Sequence, residues 1–189
     1  MAASEPSPAR RAARRKARLA YELARLRAAL LGVVPLVALL GVATLTSHRA
    51  GAALTFGVVA VIASSMMLWY GRGPQRAVLP GLVAGVVPLA LALCANHAHS
   101  CGSGACASLC LPACTVGGVV AGLWVARVAL RRRATAAFWL SASAVAVATG
   151  AMGCSCIGST GVIGLVLGYG AGLAPGLARR LWLSRRRPA

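Results

Sequence analysis

Six long stretches without Asp, Glu or Lys, at about 28–47, 50–70, 77–97, 109–130, 134–152 and 157–177, divide the charged residues of this 189-residue chain into short clusters. A hydrocarbon layer about 30 Å thick takes about 20 apolar residues to cross as a helix, and each stretch is about that long. Water is absent at that depth, so backbone N–H and C=O groups must bond within the segment, which favours a helix. A soluble domain is excluded: 12% of the residues are charged, about half the usual level, while 59% are hydrophobic. The expected fold is all-α, a polytopic membrane protein with a six-helix transmembrane bundle. Three regions follow: a basic amphipathic segment at 1–28, the bundle at 29–177 and a basic tail at 178–189. A cleaved secretory leader is not expected, because the basic region is too long and apolar segments simply continue after it.

The loop charges set a direction. Lys and Arg in short loops stay on the cytoplasmic side, and here they number 20 against 2 acidic residues. Eight fall in the N-terminal segment (Arg10, Arg11, Arg14, Arg15, Lys16, Arg18, Arg25, Arg27) and two in the turn after the second stretch (Arg72, Arg76). Four more lie around the fourth turn (Arg127, Arg131, Arg132, Arg133) and five at the C-terminus (Arg179, Arg180, Arg185, Arg186, Arg187), which leaves Arg49 alone on the other face. That asymmetry needs an even number of spans and places both termini in the cytoplasm, the expected location being a bacterial inner membrane. Trp69, Tyr70, Trp124, Phe138, Trp139 and Trp182 fall near the same face, as an aromatic belt would. The basic ends are expected to touch anionic lipid of the inner leaflet. Leu19, Leu23, Leu26 and Leu30 lie at i, i+4, i+7 and i+11, one stripe of an interfacial helix. Nucleic acid is not an expected partner: Tyr21 is the only aromatic in the basic run, and no recognition fold fits.

Within the stretches small residues replace ionisable ones. Gly164, Gly168, Gly172 and Gly176 recur every four residues, and Gly81/Gly85 and Gly118/Gly122 repeat that spacing, so close helix approach is expected there. Pro35 and Pro88 are expected to kink their spans. A proton- or cation-coupled pump places ionisable residues inside its bundle, and none is available here. No catalytic residue is expected, since no acid stands by the outer histidines and no nucleophile–base set can be assembled. The loop GCSCIGSTG lacks the Lys of a phosphate loop.

The remaining chemistry is sulfur and imidazole, all on the face opposite the arginines. Cys94, Cys101, Cys106, Cys110 and Cys114 with His97 and His99 occupy CANHAHSCGSGACASLCLPAC, Cys154 and Cys156 the last outer turn, and His48 the first. Three readings stand: disulfides that tie the outer loops in an oxidising compartment, a sensor of oxidant or soft metal, or small buried residues, notably Cys94 and Cys114. As a metal site the candidates are Cys101, Cys106, Cys110, Cys154, Cys156, His97 and His99, with zinc, copper, cadmium or mercury as the ion and no other cofactor implied. Cys106, Cys110 and Cys114 share a helix face if the fourth helix reaches that far, in which case partners across the loops suit them better than one another. Pro112 instead favours a helix starting near itself, leaving Cys101, Cys106 and Cys110 on a loop. Cys154 and Cys156 are too close for an easy mutual bridge. A site joining the two loops would couple outer chemistry to the packing of spans four to six.

The hairpin RRRATAAFWLSASAVAVATGAMGCSCIGSTGVIGLVLGYGAG, with its basic inner turn, outer cysteine and glycine-rich return, resembles the NrsF-type bacterial membrane anti-sigma factors. The resemblance implies that the inner parts hold an extracytoplasmic-function sigma factor, released by stress sensed at the outer face through Cys154 or Cys156 and one of Cys101, Cys106 or Cys110. The expected role is a non-enzymatic membrane regulator. Rival roles are a small soft-metal transporter or accessory protein, and a structural membrane protein with disulfide-tied outer loops.

Overall fold

Every apolar stretch becomes a helix. The computed structural model describes residues 8–46, 50–70, 72–98, 106–155 and 158–185. These form α1 (Pro8–Thr46), α2 (Ala50–Tyr70), α3 (Arg72–Ala98), α4 (Cys106–Arg131), α5 (Ala136–Cys154) and α6 (Ser159–Arg185), with no strand among the described residues. Among the described residues five helices are long and apolar enough to cross a membrane, through Gly51–Trp69, Pro74–Ala95, Cys110–Arg131, Ala136–Cys154 and Ser159–Leu183. The exterior is apolar as lipid requires: Leu140 is 73% exposed and Leu167 is 68% exposed. The protein is a helical membrane protein.

α1 is longer than one span. Its 39 residues run as one helix through Pro35, carrying the basic segment and the first apolar stretch together. At about 1.5 Å per residue it is about 58 Å long, whereas its apolar part, Gly32–Thr46, covers only about 22 Å. Leu19, Leu23, Leu26 and Leu30 are all exposed along the basic half, beside exposed Arg14, Arg15, Lys16, Arg18 and Arg27.

α3 to α6 make the core. α4 packs chiefly on α6 and α3 on α5, with α3 also against α4, while α1 and α2 form a hairpin that joins through α2 to α5. Both main pairs run parallel and meet at the glycines. A Cβ on Gly118 would stand 2.5 Å from the Leu165 carbonyl oxygen, and one on Gly122 would strike that of Tyr169. In return, Gly168 and Gly172 lie against the carbonyls of Thr115 and Val119, and Gly176 against the Ala126 methyl. Gly81 and Gly85 do the same for α5, with Cβ positions 2.6 Å from the Ala142 oxygen and 2.6 Å from the Thr149 Cβ. The four-residue glycine spacing therefore marks backbone contact, as the sequence indicated. Pro88 is buried and seated against Gly117 of α4 and Gly150 of α5, the smallest residues available to receive its ring.

The turn between α4 and α5 closes as a Schellman motif. The Ala134 N–H donates to the Ala129 carbonyl (2.9 Å) and the Arg133 N–H to that of Leu130 (3.2 Å), with Arg133 at φ 48° where glycine is usual. The α5–α6 turn uses Gly158 at φ 82°, its N–H donating to the Ser155 carbonyl (3.0 Å). Phe138 and Trp139 correct the expected aromatic belt: each is only 5% exposed, packed among Ala126, Ala129 and Ala142 in the core. Arg180 lies over the Trp139 ring, 5.9 Å from its centroid, fastening α6 to α5 at the arginine end. Trp69, Trp124 and Trp182 are exposed, as belt residues are.

Candidate functional site

The described cysteines gather at the end of the bundle opposite the arginine clusters. α4 begins at Cys106, not near Pro112, and so runs on through the proline at its seventh residue, forgoing one helix bond there. Cys106, Cys110 and Cys114 consequently stand at i, i+4 and i+8 on one helix face. α5 ends at Cys154, where the Ser155 hydroxyl turns back to donate to the Met152 carbonyl (3.0 Å). The closing 3₁₀ turn fixes the Cys154 side chain against α4.

There the side chains of Cys114 and Cys154 come together in one buried cluster. Both are fully buried, in a cluster with Ala92 of α3, Ala151 of α5 and Leu165 of α6, covered by Phe56 and Val162. The contact thus joins α4 to α5 where α3 and α6 also meet. Cys110, one turn further along α4, is buried as well, and Cys94 on α3 is exposed. All four are thiols, not disulfides.

Of the expected site residues, the structure places Cys110 and Cys154 in the buried end of the bundle, and Cys154 meets Cys114, for which packing was one of three readings of the sequence. His97 lies in the last turn of α3 and Cys106 opens α4. Cys101, His99 and Cys156, with His48, lie outside the described residues. The signal for Cys114 was present in its four-residue spacing from Cys110; only the tertiary contact identifies its partner.

Among the described residues no three His, Cys, Asp or Glu side chains come together. A tetrahedral zinc site takes four ligands, or three and water. Two thiols in contact form a dithiol able to close to a disulfide, or supply two of the ligands of a thiophilic ion. Deeper in the bundle the Tyr169 hydroxyl donates to Ser143 Oγ at 2.9 Å, a polar tie between α6 and α5. No family model, curated protein or solved structure matches this chain.

Proposed function

We propose that this protein is a non-enzymatic regulator of a bacterial inner membrane that responds to oxidants at its sulfur end and holds a cytosolic protein at its arginine end. Six spans with both termini in the cytoplasm give the charge distribution its simplest explanation: the sixth comes from α1, and 19 of 20 cationic residues then face inward. The Cys114–Cys154 contact carries the functional reading. In a thiol exchange, one cysteine attacks an oxidant disulfide and the second resolves the mixed disulfide. The pair loses two protons and two electrons, and the oxidant leaves as two thiols. The new bond, about 2.05 Å long, draws the end of α5 onto α4. Because α4 is locked to α6 by backbone contacts and α5 to α3, the bridge ties the two halves of the core together.

The output element is the basic half of α1, with its exposed leucines and cations. An amphipathic helix of this kind lays its apolar face into a partner's groove. The resemblance of the last hairpin to NrsF-type anti-sigma factors supports an extracytoplasmic-function sigma factor as that partner. A thiophilic metal ion would act on the same two sulfurs. Oxidation is favoured because a disulfide needs only the two thiols already in contact.

The test uses the tagged full-length chain, crosslinked in bacterial cells before solubilisation. A sigma factor should copurify from reduced membranes and be lost after diamide, which takes two hydrogens from a dithiol. The double variant Cys114→Ser/Cys154→Ser should retain it under both conditions. Absence of any sigma factor from the reduced complex, or equal release from the double variant, would overturn the reading.

A further inference from the structure

At the arginine end a cleft of about 470 Å³ opens between the first turn of α3 and the α4–α5 turn, lined by Gln75, Arg76, Leu79, Pro80 and Arg132. We propose that this cleft binds the phosphate of an anionic phospholipid. Two guanidinium groups and a side-chain amide border it, and guanidinium recognises phosphate through paired N–H donors. The chain supplies few anions of its own, with 2 acidic residues against 20 Lys and Arg, so a counter-anion from outside is favoured. The N-terminal end of α3 adds positive potential at the same place.

The walls select lipid over free phosphate. Gln75 and Arg76 stand at the very start of the apolar run Pro74–Ala95, while Leu79 and Pro80 lie one turn further along it. Leu79 is 67% exposed, offering an apolar surface where an acyl chain can lie. A cleft of this volume is in the range that takes a whole small molecule, so glycerol is accommodated beside the phosphate. Basic pockets at the cytoplasmic ends of transmembrane helices hold anionic headgroups in this way. The site depends on membrane placement alone and is independent of the thiol pair.

The full chain in phosphatidylcholine nanodiscs, doped with phosphatidylglycerol, provides the test, with bound lipid counted by native mass spectrometry. Arg76→Gln/Arg132→Gln should lower phosphatidylglycerol affinity at least tenfold. Arg179→Gln/Arg185→Gln, which removes the same charge elsewhere, should change it less than twofold. Excess inorganic phosphate should leave the lipid bound; full displacement would instead assign the cleft to free phosphate and overturn the lipid assignment. Equal losses in the two double variants, or equal retention of phosphatidylcholine, would overturn the site. A photoreactive phosphatidylglycerol on the wild-type chain probes the same cleft without substitution: crosslinks at 75–80 and 132 support it, and their absence there refutes it.

Discussion

Gly168→Ala and Gly170→Ala, two residues apart on α6, separate packing from helix propensity. At Gly168 a new methyl would run into the Thr115 carbonyl group of α4, with its carbon at 3.0 Å and its oxygen nearer still, whereas a methyl at Gly170 would meet no neighbouring helix within 4 Å. Ordinary contact requires α6 to retreat from α4 by on the order of 1 Å, and a gap of that size forfeits a quarter to a half of each dispersion contact it opens. Overpacking of this kind costs about 1–3 kcal/mol. The gain of about 1 kcal/mol in helix propensity is common to both variants and cancels in their difference. Gly168→Ala should therefore be less stable than Gly170→Ala by about 1–3 kcal/mol. Reversible unfolding of the full chain in mixed micelles, followed by far-UV circular dichroism against added SDS, reads that difference. Equal midpoints, or a less stable Gly170→Ala, would refute the glycine-to-backbone contact as the basis of α4–α6 association.

Maleimide applied to the folded, reduced protein in detergent should modify exposed Cys94 well ahead of buried Cys114 and Cys154, as a peptide mass spectrometry time course would show. Arg133→Gly should raise stability by about 1 kcal/mol, since glycine accepts the left-handed conformation of the α4–α5 turn without strain. Tyr169→Phe removes the 2.9 Å bond to Ser143 and should cost about 0.5–1.5 kcal/mol in the same unfolding assay. Diamide should stabilise the wild-type chain and leave Cys114→Ser unchanged, because only the former can close the bridge between α4 and α5.

The helices were legible because their cause is local: absence of charge over about 20 residues dictates a span; α2, α3 and α4 contain the stretches read from sequence, and α5 and α6 begin two residues inside theirs. Glycine spacing was legible for a similar reason, since Gly118, Gly122, Gly168 and Gly172 mark helix faces without knowledge of their partners. Tertiary choices were not. Phe138 and Trp139 sit at the arginine end in sequence, as belt residues do, and only the position of α5 between its neighbours turns them inward. For Cys114 burial was one of three readings, and its burial does not choose among them, because the end of α5 delivers Cys154 to it. The continuity of α1 was hidden because leucine and arginine both favour helix, so no residue between the basic and apolar halves signals a stop.

The direction of the bundle governs everything proposed for its two ends. In a chain freed of its other cysteines, one thiol is kept either at Cys94 or placed in the exposed α4–α5 turn by Thr135→Cys. Spheroplasts are treated with a membrane-impermeant maleimide, then opened and treated again. Cys94 should react before opening and the residue-135 thiol only after it. The reverse pattern would put the sulfur end in the cytoplasm and contradict the account.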